Sequence, residues 1–317
     1  MNMQEESRNG YIVSEKMKKV WALQLQLVKK VLEVCEKYNL RVWAEGGTLL
    51  GTIREKGYIP WDDDIDLAML RPDYDKFQEV APKELPKSYF IQNGYTDYYF
   101  NGITKIRIEG TAAILAHQHV NFIRHQGIFI DIFPLDALPD DPADLNQLMI
   151  DAKRIIRPLK YYCGGDYSPL HPQVLMRTLR GAYLMKTHGR QSIYKQYEDL
   201  FRKYKIEDYD KVSLHAWYYD LKRFSREKHW YDDTLWMPFE DIMMPVPSGY
   251  HEILTMQFGD YMTPVKASSY HGNFLVLDPE RPYQDFLPLL KKQHRWDSWK
   301  HRRDLLLRLV GMKSHKE

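Results

Sequence analysis

Apolar side chains recur with helical spacing between residues 14 and 38. They step by four, four, three, four and three residues, which places them on one face of a helix. Ser14 can cap the amino-terminal end, because its hydroxyl accepts a hydrogen bond from a free backbone amide. The positions on this face are Met17, Trp21, Leu25, Val28, Leu32 and Cys35. A long helix with one buried face is therefore predicted, and Cys35 is predicted to be a core residue rather than a reactive thiol.

Segments with a period of two, or continuous apolar runs, predict strands elsewhere in the chain. Residues 103–108 alternate so that Lys105 and Arg107 share one face of a strand. Further predicted strands are residues 41–44, 64–70, 89–92 and 128–133. A helix is predicted at 74–80, and the chain from 142 to 209 is predicted to be helical and basic. The pattern as a whole predicts an α+β protein.

The acidic part of the chain follows a short glycine-containing turn, Gly46-Gly47-Thr48. On a strand that begins at Asp64, Asp64 and Asp66 point to the same side. Two carboxylates held side by side repel each other and are costly to desolvate. A hard cation relieves both effects, and Mg²⁺ bound through carboxylates and substrate phosphates is the usual arrangement. The full run of carboxylates is Asp62, Asp63, Asp64 and Asp66.

A further carboxylate, Asp131, interrupts the apolar run at 128–133. A buried carboxylate needs a partner. Asp131 is therefore expected either to form a structural salt bridge or to complete a metal site with Asp64 and Asp66. Basic residues could bind the phosphates of a donor, and arginine can do so bidentately. The candidates are Arg54, Lys105 and Arg107, with a solvated strand face as the alternative for the last two.

Other interpretations of the acidic run have different requirements. A solvated loop explains the charge but not the interleaved apolar residues. An EF-hand requires glycine at the position of Leu67 and glutamate at that of Asp73, so it is excluded. A metal-dependent glycosyltransferase that uses Asp64 and Asp66 as its D-x-D motif remains open. We do not predict a zinc site at the histidine group, which has no cysteine nearby: His117, His119 and His125.

The segment GGTLLG…R…G-x-IPWDDDID resembles the signature of the LicD family, within the nucleotidyltransferase superfamily. GIFIDIFPLD at 127–136 and the segment 238–262 resemble LicD patterns as well. The resemblance implies a nucleotidyltransferase-like mixed β-sheet core flanked by helices, with a helical insertion. It implies a catalytic, metal-binding triad for Mg²⁺ or Mn²⁺ that consists of Asp64, Asp66 and Asp131. It also implies contacts of Gly46, Gly47 and Thr48 with the nucleotide or its phosphates. Supporting positions around the triad are Asp62, Asp63, Asp136 and His271.

The same resemblance implies a phosphotransferase activity. A phospho-alcohol, such as phosphocholine, would pass from a CDP-linked donor to a hydroxyl of a cell-surface glycan, a teichoic-acid-type acceptor or a lipid-linked oligosaccharide. CMP would leave, whereas a D-x-D glycosyltransferase would release a nucleoside diphosphate. A catalytically inactive family member that binds glycans is a third hypothesis. The expected parts are a catalytic core at 14–140, a helical region at 141–235, the rest of the catalytic domain at 236–275 and a basic tail at 276–317.

Composition and charge place further limits on the protein. Its two cysteines, Cys35 and Cys163, provide no disulfide framework. The sequence shows neither a signal-peptide pattern nor an apolar run of about 18 residues, so we expect a cytoplasmic protein that does not bind nucleic acid. The net charge is +2, but residues 291–317 contain nine Lys or Arg and three Asp or Glu. Residues 295–310 predict a helix with tryptophans on its apolar side, which either contacts the inner membrane face or packs on the catalytic body.

Overall fold

The computed structural model describes residues 2–115, 124–164, 172–217, 220–221, 224–265 and 274–288. His117, His119, His271 and the predicted helix at 295–310 lie outside these ranges. Seven α-helices occur within the described residues: α1 (Glu15–Lys37), α2 (Gly46–Leu50), α3 (Arg71–Glu84), α4 (Pro142–Gly164), α5 (Pro172–His188), α6 (Arg190–Arg202) and α7 (Tyr250–Phe258). The strands are β1 (Glu6–Arg8), β2 (Tyr11–Val13), β3 (Trp43–Ala44), β4 (Asp66–Leu70), β5 (Tyr89–Gln92), β6 (Thr104–Ile108), β7 (Ala112–Leu115), β8 (Phe129–Ala137), β9 (Lys211–Leu214), β10 (Arg226–Glu227), β11 (Thr234–Phe239), β12 (Ile242–Pro247) and β13 (Phe274–Asp278).

Helix α1 confirms the prediction from the apolar spacing. The Ser14 hydroxyl accepts a hydrogen bond from the Met17 amide at 3.2 Å and caps the helix. Trp21, Leu25 and Val28 are buried, and so is Cys35. Burial raises the pKa of the Cys35 thiol to about 12, which keeps it protonated and unreactive at neutral pH.

The central sheet is built around β8, its longest strand. One edge of β8 pairs with β4 in parallel. The opposite edge pairs antiparallel with β6 over its first half and with β9 over its last residues. Strands β3, β5 and β10 extend the sheet outward. The α+β class and the mixed sheet are therefore as predicted.

Three regions depart from the predicted elements. Strand β4 begins at Asp66 rather than at Asp64, so Asp64 lies in the loop before the strand and the argument from a shared strand face does not apply to it. Helix α3 begins at Arg71, directly after β4, because Pro72 fits the first turn of a helix. The span 141–235, expected to be helical, also contains β9 and β10, which join the central sheet. Their short lengths, four and two residues, leave too little period-two pattern to identify them by sequence.

Helices cover the sheet and enclose its core. Helices α1, α3 and α6 contact β8, and α4 packs against α5 and α6. Strands β11 and β12 form a separate hairpin, in which Pro245 and Pro247 lie within β12. Proline is tolerated there because a two-stranded hairpin has free edges. Among the described helices, none has the length and apolarity needed to cross a bilayer.

Candidate active site

Five aspartates gather where β4 and β8 lie side by side. The parallel pairing of these strands sets Asp66 opposite Asp131. The loop that leads into β4 carries the remaining members, and carboxylate oxygens of all three lie within 4.8 Å of one another. We call the following residues the acidic cluster: Asp62, Asp63, Asp64, Asp66 and Asp131.

The acidic cluster is electrostatically crowded. Burial, followed by the negative charges of Asp64 and Asp131, raises the pKa of Asp66 well above its usual value. Burial and the charges of Asp64 and Asp63 do the same to the pKa of Asp62. A divalent cation would relieve this repulsion, and an all-carboxylate donor set suits Mg²⁺ or Mn²⁺. Asp62 and Asp63 were predicted only as supporting residues, but with Asp64 they form the group whose carboxylate oxygens lie within 4.8 Å of one another.

Lys105 is a basic side chain that reaches the acidic cluster. It pairs with Asp131 across β6 and β8, and its Nζ lies 2.5 and 2.6 Å from the two carboxylate oxygens. Both side chains are buried. The two alternatives for Asp131 are therefore not exclusive, because it forms a salt bridge and also lies beside Asp66.

Arg54 and Arg107 have other partners. The Arg107 guanidinium donates to Gln92 Oε1 at 2.5 Å and to the Gly127 carbonyl at 2.7 Å. Burial lowers the pKa of Arg107 to about 10. Arg54 donates to the Tyr261 carbonyl at 3.0 Å. These contacts tie neighbouring elements together, and binding of a phosphate by either arginine stays a prediction.

Asp136 has partners outside the acidic cluster, and its predicted supporting role stays a prediction. Asp136 lies five residues beyond Asp131 on β8, which is about 17 Å along a strand and on its opposite face. Its carboxylate accepts two hydrogen bonds from Arg71, at 2.6 and 2.7 Å, and lies 2.7 Å from His215 Nδ1. Burial alone would raise the pKa of Asp136, but Arg71 and then His215 hold it well below its usual value. Asp136 is thus part of a structural ion-pair network.

The glycine turn packs directly against the acidic cluster. Gly46 has a φ of 53°, in the left-handed region that favours glycine. A Cβ atom on Gly47 would lie 2.7 Å from Asp62 Oδ2, closer than such atoms approach. The Thr48 hydroxyl accepts a hydrogen bond from the Asp66 amide at 2.9 Å. The turn therefore packs against the Asp62 carboxylate and holds the backbone of Asp66.

Helix α1 supports the acidic loop through two side chains that sequence reasoning missed. Trp21 Nε1 donates to the Asp62 carbonyl at 3.0 Å. Gln24 Nε2 donates to the carbonyls of Asp63 and Phe129, at 2.8 and 3.1 Å. A signal was present in the sequence, since Gln24 is a polar residue three positions after Trp21 on an otherwise apolar face.

A buried ion pair, also missed, anchors the start of the glycine turn. The Arg226 guanidinium donates to both carboxylate oxygens of Glu45, at 2.6 and 2.5 Å. Gln257 of α7 donates to the same carboxylate at 3.1 Å. The carboxy-terminal part of the described chain is thereby connected to residue 45, immediately before Gly46. The sequence signal for this ion pair was Glu45 itself, a carboxylate between Ala44 and Gly46.

A family model described as LicD/FKTN/FKRP, nucleotidyltransferase domain, matches residues 39–162. Over 256 residues the chain is 31% identical to the lipopolysaccharide cholinephosphotransferase LicD of Haemophilus influenzae, covering 78% of this chain and 93% of that protein. The chain belongs to the LicD family. The segment matched by the LicD model contains the glycine turn and the whole acidic cluster.

Shorter segments of the chain are similar to other proteins. The ribitol 5-phosphate transferase FKRP of Homo sapiens is 36% identical over 59 residues, which cover 19% of this chain and 12% of that protein. An uncharacterized protein of Rickettsia prowazekii, RP689, is 37% identical over 141 residues, covering 44% of this chain and 48% of that protein.

Proposed function

We propose that the protein is a metal-dependent phosphotransferase of the LicD family. It moves a phospho-alcohol, phosphocholine or a similar group, from a CDP-linked donor to a hydroxyl of a cell-surface glycan or teichoic-acid-type acceptor, free or lipid-linked. The observation that carries this proposal is the acidic cluster, with Asp66 and Asp131 side by side on parallel strands. Two similar proteins are named for this kind of transfer, of cholinephosphate to lipopolysaccharide and of ribitol 5-phosphate.

The acidic cluster supports binding of the cation that the reaction needs. Asp64, Asp66 and Asp131 would hold Mg²⁺ or Mn²⁺, with Asp62 and Asp63 close by. A bound cation would neutralise charge on the donor phosphates and lower the pKa of the acceptor hydroxyl. Lys105 offsets the charge of Asp131 and limits the number of carboxylates that the cation must balance.

The transfer itself is a substitution at phosphorus. The oxygen of the acceptor hydroxyl forms a bond to the phosphorus of the phospho-alcohol, and the bond from that phosphorus to the CMP oxygen breaks. CMP leaves with the electron pair, and the hydroxyl proton is released. Gly46, Gly47 and Thr48 are proposed to approach the donor phosphates, for which Gly47 offers backbone without a Cβ atom.

We also propose the nucleotidyltransferase-like arrangement for this core, formed by residues 14–140 and 236–275. The contact of Gln257 with Glu45 supports joining the two parts. Arg54, Lys105 and Arg107 are retained as proposed phosphate contacts, each of which would have to change partners when the donor binds.

Incubation with CDP-choline, CDP-ribitol, UDP-sugars and GDP-sugars tests the function. Each donor is combined with a glycan acceptor and Mg²⁺, and the released nucleotide is identified by chromatography. The proposal expects CMP in an amount equal to the phospho-alcohol transferred. Release of UDP or GDP would instead identify a glycosyltransferase, and no turnover with any donor would favour an inactive binding protein.

A further inference from the structure

Within the described residues, helix α5 packs against α4 and makes a smaller contact with α6. Gly181 lies against α4, where an added Cβ atom would meet the Pro158 carbonyl oxygen at 2.2 Å and Tyr162 Cβ at 2.6 Å. The two helices are therefore in close backbone contact along this face. Arg177 Nη1 donates to Tyr161 Oη of α4 at 2.9 Å and strengthens the same contact.

The opposite side of α5 carries large apolar side chains that are open to solvent. Leu175 and Met176 are 48% and 66% exposed, and Leu179 and Tyr183 are 61% and 64% exposed. Their spacing places them on one stripe of the helix. We call these residues the α5 stripe. In the described part of the chain no element covers it, although a helix with apolar residues on both sides usually lies between two partners.

The charge of α5 indicates what that second partner is. Arg180 and Lys186 are exposed and border the α5 stripe. No aspartate or glutamate occurs anywhere in α5. A second copy of the chain would bring the same positive face. Residues 291–317, with nine basic and three acidic side chains, would also be repelled. Charge complementarity therefore favours an anionic occupant.

We propose that the α5 stripe inserts into the headgroup region of an anionic phospholipid membrane. Apolar residues along one side of a helix with Lys and Arg at the border are the pattern of an interfacial helix. Tyr183 suits the boundary between lipid and water, because its ring is apolar and its hydroxyl is polar. Arg180 and Lys186 can reach lipid phosphates while their aliphatic stems remain along the stripe. This inference is independent of the donor and acceptor proposed above.

Vesicle sedimentation with the full chain tests the proposal. The vesicles are phosphatidylcholine alone, or phosphatidylcholine with 30% phosphatidylglycerol as the anionic probe, each at low and high salt. The variants are Leu179→Glu and, for the flanking charges, Arg180→Glu combined with Lys186→Glu. The matched control is Ile12→Glu, since Ile12 is 64% exposed and Leu179 is 61% exposed, and the change in charge is the same. Circular dichroism checks that each variant is folded.

The wild-type protein and Ile12→Glu are expected to bind the anionic vesicles and to dissociate at high salt. Leu179→Glu is expected to weaken binding about tenfold or more, since burial of one leucine is worth at least that factor. The double variant is expected to lose the dependence on phosphatidylglycerol. Binding of Leu179→Glu at wild-type strength, or no vesicle binding by the wild type, would overturn the proposal. If the wild type does not bind vesicles but forms an oligomer by light scattering, and Leu179→Glu abolishes that oligomer, then a second protein chain covers the α5 stripe and the membrane proposal is overturned.

Discussion

At the scale of single residues, the carboxylates of the acidic cluster destabilise the fold by repulsion but form a suitable site for a cation. Asp66 and Asp131 are adjacent across parallel strands, and their mutual repulsion disfavours the folded protein. Lys105 offsets one of these charges through a buried pair. We expect a cation at this position because the remaining repulsion between the carboxylates lowers the stability of the folded protein unless a positive charge balances it.

The carboxylate of Asp66 is predicted to be required for turnover but not for folding. Asp66→Asn should lower the rate of transfer by roughly three orders of magnitude, since the charge stabilisation lost with the metal is worth several kcal/mol. The melting temperature of the metal-free protein should stay the same or rise, because a repulsive charge is removed. Initial rates and thermal unfolding measure the two effects. Asp144→Asn, an exposed aspartate on α4, serves as the control. A variant with near wild-type turnover would show that Asp66 is not in the catalytic site.

Lys105 is predicted to compete with the cation for the charge of Asp131. Lys105→Met breaks a buried pair and should destabilise the metal-free protein by about 3 kcal/mol. The same change should enlarge the increase in melting temperature on addition of Mg²⁺, because one more carboxylate is left to balance. Thermal unfolding with and without Mg²⁺ measures both. Lys195→Met, on an exposed lysine of α6, should change neither quantity. An Mg²⁺ effect equal to that of the wild type would place the cation away from Asp131.

At the scale of elements, α1 and the glycine turn hold the acidic loop from two sides. Trp21 and Gln24 bind its carbonyl groups, and Thr48 binds the Asp66 amide. Backbone polar groups buried in this way need such partners. The spacing of the carboxylates therefore depends on side chains outside the acidic cluster.

Gln24 is predicted to stabilise the loop and through it the activity. Gln24→Ala leaves the carbonyls of Asp63 and Phe129 without this donor, which should cost about 2–4 kcal/mol of unfolding free energy. Turnover should fall together with it. Urea unfolding and initial rates are the measurements. Gln26→Ala, two residues along the same helix and exposed, is the matched control. Equal stability of the two variants would contradict the role given to Gln24.

The elements with a strong local period were predictable from sequence, and the contacts between them were not. Helix α1, β5 and β6 follow directly from the spacing of apolar residues. The pairing of Asp66 with Asp131 joins strands 65 positions apart, which no local pattern encodes. For the same reason the partners of Asp136 were not predicted, since Arg71 and His215 come from distant segments. We expected Asp66 and Asp131 to be close because of the resemblance to the LicD family.

At the scale of the whole molecule, a buried ionic network connects elements that are far apart in sequence. Arg71 of α3 binds Asp136 of β8 and lies 3.4 Å from Glu198 of α6. His215, after β9, also contacts Asp136. Removal of one member leaves another buried charge without its partner, so the network couples the helices to the sheet.

His215 is predicted to make the protein sensitive to mild acid. Burial lowers the pKa of His215 below its usual value of 6.5, even though Asp136 opposes this effect. Below pH 6.5 the unfolded chain therefore binds more protons at His215 than the folded protein does. The free energy of unfolding is largest above pH 6.5 and decreases as the pH falls from 6.5 toward the lower pKa of His215 in the folded protein. The slope is at most about 1.4 kcal/mol per pH unit. Urea unfolding between pH 7.5 and 5 should show a smaller slope for His215→Asn than for the wild type. Identical slopes would mean that His215 keeps an ordinary pKa.

In the proposed reaction, a phospho-alcohol is transferred from a CDP-linked donor at the acidic cluster. The most direct test is a count of nucleotide products from a CDP-linked donor and a glycan acceptor, with Mg²⁺ and again with excess chelator. We expect one CMP for each phospho-alcohol transferred, loss of both products with chelator, and recovery when Mg²⁺ or Mn²⁺ is returned. Transfer that continues in chelator, or release of a nucleoside diphosphate in place of CMP, would contradict it.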